Sequence, residues 1–408
     1  MLNNFISLFV RFSGTIIQFI SGILISRFSA ADVTAYYFFL LSSVWITVYA
    51  VSLGFPNHIF IVTSESGNDG KHLNILRRYI FYFLKLMIPI LSFLVIILLF
   101  YGYSKDISVN NYILIFCSAL ILSLNRFCSE TLKGANFLNL GLFFDRTSFP
   151  LFIMINIFYL NSTNSLSIDS ISYSFIYSAL FSLILSYLTS ARFLNYSSRE
   201  KFKIKLAKTH LGSQYIIELC EVLINRLPII ILNFIFNDVR LIAGLSICFT
   251  LVSISGTINF ALYPFFGRNY IQKIKSQEQS QAKEIIYKSQ LWCGVLYILY
   301  FFVLFFFGEL ILNIYNKDFI SFNNYLVFYS FFMIFNQFFG VSDYLMSLIR
   351  KDFFAIVFKL LSLVTLILFS TIAYIYQSVE IFLVSIVLSV LIKNILSYTF
   401  HLRYVFKN

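Results

Sequence analysis

From Phe5 to Tyr404 the chain is a succession of apolar stretches, each roughly 17–25 residues long and parted by short polar breaks. That length crosses the hydrocarbon core of a bilayer as a helix, and a water-soluble fold has no place to bury so many such helices. Charged residues make up only 12% of the chain, where soluble domains carry about 25%. The chain is therefore expected to sit in a membrane and to act across or within it. About twelve spans of ~20 residues would consume ~240 residues. Of 408 residues, the remainder makes loops and helix extensions, with no soluble catalytic domain.

The pattern places spans at 5–26, 35–62, 79–101, 111–127, 147–161, 171–190, 211–236, 239–263, 289–311, 324–348, 353–376 and 381–400. Lysine and arginine then set the orientation. The connections 63–78, 126–146, 191–210, 264–288 and 349–352, with the C-terminus, hold twenty-one basic residues, and the alternate connections hold only Arg27, Lys105, Arg240 and Lys317. The excess of basic residues on cytoplasmic loops predicts both termini in the cytoplasm. The net charge of +12 is accounted for by that bias and implies no nucleic-acid partner. The first apolar stretch lacks a basic n-region and a cleavage site, and reads as an uncleaved first span. The five cysteines lie in or beside apolar segments, so no disulfide framework is expected.

The basic run from Arg199 to Lys208 parts the chain into halves, residues 1–200 and 201–408, of six spans each. Six is even, so both halves point the same way. The expected fold is an all-α polytopic membrane protein, with about twelve helices in two six-helix bundles related by a pseudo-two-fold axis along the membrane normal.

Ionisable residues inside spans are costly and mark candidate sites. On the first span Ser7, Arg11, Gly14, Gln18 and Gly22 fall within roughly 80° of one another at the helical repeat. The plainer reading is that Arg11 snorkels to the nearby interface; Gln18, farther in, favours a water-lined face. On the seventh span Gln214, Glu218, Glu221 and Asn225 form a ~60° stripe, with Arg226 on its flank and Pro228 just beyond. Two acids one turn apart repel, which a shared proton or cation would relieve; an ion pair with a basic residue of a neighbouring helix is the alternative. On the tenth span Asn336, Gly340, Asp343 and Ser347 share a ~60° arc, and Asp343 could instead lie at the interface. In the eighth span Ser246, Thr250, Ser253 and Thr257 form a hydroxyl face that suits helix packing as well as a cavity wall. Lys85, Lys359 and Lys393 are expected to snorkel.

Soluble-enzyme signatures are missing. Gly70-Lys71 lacks the upstream glycine of a P-loop and is followed by His72. The four histidines have no metal-ligand spacing. The short outer loops count against a membrane glycosyltransferase or sugar polymerase, whose chemistry needs an outer domain.

The N-terminal segment Ile23-Leu24-Ile25-Ser26-Arg27-Phe28, followed by Asp32 and Tyr36-Tyr37, resembles the join between the first two spans of the O-antigen and polysaccharide flippases, the Wzx type. Those belong to the multidrug/oligosaccharidyl-lipid/polysaccharide exporter (MOP) superfamily. Ser52-Leu53-Gly54-Phe55 is similar to their Leu-Gly turn at the end of the second span, and Tyr263-Pro264 to the proline closing the second span of the C-terminal half. Ala35 stands where the family often has glycine.

The resemblance implies a flippase of the bacterial inner membrane that carries an undecaprenyl-diphosphate-linked oligosaccharide, such as an O-antigen repeat unit, to the periplasmic leaflet by alternating access. It implies a cationic cavity between the bundles and no enzymatic step. Membrane lipids, a polysaccharide polymerase and a chain-length regulator are the partners that follow. Arg11, Gln18, Asn225, Arg226 and Asn336 would bind substrate, and Glu218, Glu221 and Asp343 would carry a coupling proton or sodium ion. No other cofactor is expected. The alternatives are a cation-coupled drug exporter of the same superfamily, and a membrane-embedded polysaccharide polymerase.

Overall fold

The computed structural model describes residues 2–65, 72–85, 109–194, 208–276, 278–349 and 351–405. Every regular element among them is helical, and nine helices are long and apolar enough to cross a membrane. This is an all-α, multi-pass membrane protein. The chain divides into two compact units, Met1–Tyr215 and Ile216–Asn408.

The first unit begins with α1 (Leu2–Phe28), α2 (Ala31–Ser52) and α3 (Phe55–Glu65). The stretch 35–62, expected to be one span, is thus two helices. The break is local chemistry: Leu53 and Gly54 both take left-handed backbone, at φ 50° and 73°, and Pro56 suits the first turn of the helix that follows. Residues 72–85 form α4; the rest of the expected span 79–101 lies outside the described residues, as does nearly all of the basic run 199–208. Then come α5 (Val109–Gly134), α6 (Leu138–Leu142), a π-turn (Phe143–Thr147), α7 (Ser148–Ser162) and α8 (Ile168–Phe193).

Helix α8 shows how the sequence sorts its faces. Ser174, Ser178, Ser182, Ser186 and Ser190 recur every four residues and are all buried, whereas Tyr177, Phe181, Ile184 and Leu188 are exposed. In lipid there is no hydrophobic drive between helices, so small residues that allow close backbone approach make the contact face. Some of these hydroxyls are satisfied within the helix: Ser178 donates to the Ser174 carbonyl at 2.6 Å and Ser186 to the Leu183 carbonyl at 3.0 Å. Ser182 also bonds Ser148 of α7.

The second unit holds most of α9 (Lys208–Ile235), then α10 (Val239–Lys275), α11 (Gln279–Tyr315), a 3₁₀ turn (Lys317–Phe322), α12 (Asn323–Leu348), α13 (Asp352–Tyr376), α14 (Val379–Phe400) and a terminal π-turn (His401–Val405). Asp238 caps α10, its Oδ1 accepting from the Arg240 and Leu241 amides at 2.9 and 3.3 Å. Gln377, at φ 50°, turns α13 back into α14, whose first turn Ser378 caps. Leu299, Phe302, Phe306 and Leu310 lie exposed along α11, as a helix meeting lipid requires.

Two expected loops are helical instead. The connection 264–288 shrinks to a short link, because α10 runs past Pro264 to Lys275 and α11 starts at Gln279. Its charges lie along these extensions; Lys288 pairs with Glu284 one turn away at 2.6 Å. The connection 126–146 likewise reduces to Ala135–Phe137, since α5 continues to Gly134 and α6 begins at Leu138. Its charges Arg126, Glu130, Lys133 and Asp145 face inward and pair with one another, so they mark packing rather than solvent, while Arg146 stays exposed.

Candidate functional site

Four ionic side chains from four helices meet inside the second unit. Glu221 stands midway along α9, Asp343 near the end of α12, Lys359 two turns into α13, and Lys393 past the middle of α14. Lys359 Nζ donates to Glu221 Oε2 and, at 2.7 Å, to Asp343 Oδ2. Lys393 Nζ lies 3.1 and 3.2 Å from the two Glu221 oxygens and 3.2 Å from Asp343 Oδ2. Each ammonium touches both carboxylates, and the quartet is formally neutral. The side chains of Lys359, Lys393 and Asp343 are 5%, 6% and 11% exposed, while that of Glu221 is 34% exposed. The cluster is therefore closed on three sides and open at Glu221.

Removing an ion from water costs several kcal/mol, and only close, multiple contacts offset that. The shared contacts of the quartet supply them. Lys359 and Lys393 were expected to snorkel. Instead they point inward, because two carboxylates at hydrogen-bond distance hold an ammonium better than a distant interface does.

The other expected residues divide between this site and the packing around it. Asn225 is exposed on α9, and its amide donates to the Glu221 carbonyl at 2.9 Å and to Glu221 Oε1 at 3.3 Å. Glu218 and Arg226 are half-buried on the same helix. Asn336 is buried between α12 and α14, donating to the Val387 carbonyl at 3.4 Å, while the Asn336 carbonyl accepts from the Asn394 amide at 3.0 Å. On α1, Gln18 is half-buried, and the side chain of Arg11 lies outside the described residues. Gly14, on the face they share, packs so tightly on the backbone of Arg146 that a Cβ there would collide with it.

A second cluster lies in the first unit. Arg126, Glu130 and Lys133 of α5 face Asp145 and Arg146 of the π-turn. Lys133 Nζ is 2.7 Å from Glu130 Oε1 and 2.8 Å from Asp145 Oδ2. Arg146 Nε is 3.3 Å from Asp145 Oδ2, and Arg126 Nε 3.9 Å from Asp145 Oδ1. The Arg126 guanidinium also lies 4.0 Å over the Tyr49 ring of α2. Three bases meet two acids, and the side chain of Arg146 remains 59% exposed. The sequence reading missed this cluster. The usable signal was the spacing of Arg126, Glu130 and Lys133, which share a ~60° arc of one helix. Among the described residues no group of His, Cys, Asp and Glu is placed to hold a metal ion.

The helix order and the two units have solved counterparts. A multidrug resistance MATE family transporter of the MOP superfamily, in an inward-facing conformation, matches 98% of this chain over 98% of its own length, with TM-score 0.73 and 12% identity. The chain shares the fold of that transporter. A MATE protein in complex with MaL6 matches 98% of the chain and 95% of its own length, at TM-score 0.70 and 9% identity. A MOP superfamily transporter from Pyrococcus furiosus, described as having a binding pocket of reverse polarity that suggests a different function, matches over the same shares at TM-score 0.62 and 10% identity. No protein-family profile and no curated protein sequence matches the chain.

Proposed function

We propose that this protein is a flippase for a lipid-linked, diphosphate-bearing oligosaccharide, working by alternating access in the bacterial inner membrane with both termini in the cytoplasm. One observation carries the reading. The carboxylates of both clusters, Glu130, Asp145, Glu221 and Asp343, are already held by lysine or arginine, while the Arg146 guanidinium extends from its cluster largely exposed. An exporter of cationic drugs needs carboxylates ready to receive a cation. A carrier of a diphosphate needs cationic groups that are fixed in place yet within reach.

A sugar–diphosphate headgroup cannot cross lipid unaided, since its hydroxyls and charges would lose hydration without replacement. Protein cations and amides supply that replacement while the polyprenyl tail stays in lipid. Arg11, Gln18, Asn225 and Arg226 are assigned to the headgroup. Glu218, Glu221 and Asp343 are assigned to a coupling proton or sodium ion, which at Glu221 or Asp343 would have to displace a lysine. A polysaccharide polymerase and a chain-length regulator are the downstream partners of this reading.

Multidrug export is the second reading, and it rests on the MATE transporters among the structural counterparts. The two are separated by deleting the gene and measuring, in the same cells, the outer-leaflet appearance of lipid-linked glycan and the susceptibility to cationic drugs. Loss of glycan export with unchanged susceptibility supports the flippase; increased susceptibility with intact glycan export overturns it in favour of drug export.

A further inference from the structure

We propose that Lys359 and Lys393 form an oxyanion site whose resident occupant is the carboxylate of Glu221, and that a phosphate or diphosphate group binds by taking that carboxylate's place. The identity of the ligand as a lipid headgroup rests on the flippase reading above; the site itself does not.

The asymmetry of the quartet carries the argument. Asp343 is closed in behind the lysines, and its Oδ2 contacts both ammonium groups at 2.7 and 3.2 Å. It stays with them as a fixed counterion. Glu221 covers the same two ammonium groups from the open side, and its side chain is the most exposed of the four. Both of its oxygens face Lys393, and one is shared with Lys359. An acceptor with two or more oxygens and at least one negative charge is therefore what this pair is shaped to hold, and phosphate oxygens meet that description.

The charge balance points the same way. With Glu221 in place the four groups sum to zero. When it leaves, two ammonium groups and Asp343 remain, a net single positive charge in a poorly solvated place, which is unfavourable without a replacement anion. A singly charged phosphate oxygen pair restores neutrality. The displaced carboxylate has somewhere to go, because it already lies at the open side beside the exposed Asn225 amide. Glu221 is then a tethered competitor that holds the site closed and neutral until a stronger anion arrives. Because Glu221 also ties α9 to α13 and α14, the exchange replaces an interhelical tie with a ligand.

The test uses the full-length protein in lipid nanodiscs and calorimetric titration with inorganic pyrophosphate. Neutralising the competitor should expose the site, so Glu221→Gln is expected to bind pyrophosphate about tenfold tighter than the wild type, and Glu221→Asp, which shortens the tether, about threefold tighter. In the charge-balanced pair Glu221→Gln/Lys393→Met the gain should vanish, while monodisperse elution and an unfolding temperature near that of the wild type show that the fold is kept. A purely structural quartet would lower the stability of Glu221→Gln and leave its pyrophosphate affinity unchanged, which overturns the proposal, as does retention of the gain in the charge-balanced pair. A parallel titration with farnesyl diphosphate separates the sources of the anion. Tighter binding than pyrophosphate with the same dependence on Glu221 assigns the site to a lipid headgroup. Equal binding assigns it to the anion alone and supports the site while counting against the flippase reading.

Discussion

The ammonium of Lys359 lies 2.7 Å from the carboxylate of Asp343, sixteen residues earlier in the chain and on the preceding helix. Both side chains are largely closed off from solvent; Lys359 also contacts Glu221, and Asp343 also contacts Lys393. Neither residue can be removed without stranding the others. Lys359→Met should therefore destabilise the protein by roughly 3–5 kcal/mol, the cost of a buried charge left without its partner. Asp343→Asn/Lys359→Met should cost less than the sum of the two single changes, because the remaining Glu221–Lys393 pair is still neutral. Denaturant unfolding in micelles over the double-mutant cycle measures the coupling; additive effects would show that the contact contributes nothing.

In the first unit, Asp145 is the shared counterion of Lys133 and both arginines. Asp145→Asn removes one of two acids facing three bases and is expected to lower stability by roughly 2–4 kcal/mol. Arg146→Ala should cost under about 1 kcal/mol, since the guanidinium is largely exposed. It should nonetheless reduce glycan export if that cation serves the headgroup, and Arg146→Lys should recover part of it, with the charge kept and the planar fork lost. Unfolding curves and an outer-leaflet glycan assay at matched protein levels read the two effects separately. Unchanged export by Arg146→Ala would remove it from the transport path.

Helix packing gives a third expectation. Ser182 is buried and bonded to Ser148 on the face where α8 meets its neighbours. Ser182→Leu inserts a branched side chain where backbones approach closely and should destabilise by about 1–3 kcal/mol. Ile184→Leu, on the exposed face of the same helix, should leave the unfolding midpoint unchanged. Equal effects at the two positions would mean that the serine stripe does not set the packing.

These positions also show what could and could not be seen in the chain itself. The spans were legible because backbone polar groups must be satisfied within helices in lipid, which leaves long apolar runs as the signature. The expected span 353–376 and the observed α13, Asp352–Tyr376, differ by one residue for that reason. The Leu53–Gly54 turn was visible as a motif at the end of the second span, yet the span was drawn on to residue 62, because Ile59–Val62 beyond the turn is again apolar. Glu221 and Asp343 stood out as acids within spans, and for Glu221 the alternative of an ion pair with a neighbouring helix is what the structure contains. Which bases pair with them was not legible. Lys359 and Lys393 were expected to snorkel, and only tertiary contact shows them turned inward. The Arg126–Arg146 region was read as a loop because charge density there mimics a solvated connection.

Taking Arg126, Lys133 and Arg146 out of the expected cytoplasmic set leaves eighteen basic residues against four, so the bias survives and still predicts cytoplasmic termini. Asn164 lies in the turn between α7 and α8, with left-handed backbone at φ 51°, and Asn316 caps the 3₁₀ turn after α11. Reporter fusions at these two turns should report the outer side. Fusions at Gln279, where α11 begins, and at Lys203, which lies outside the described residues, should report the cytoplasm. A consistent inversion of all four would reverse the protein in the membrane, and the direction proposed for substrate movement would have to reverse with it.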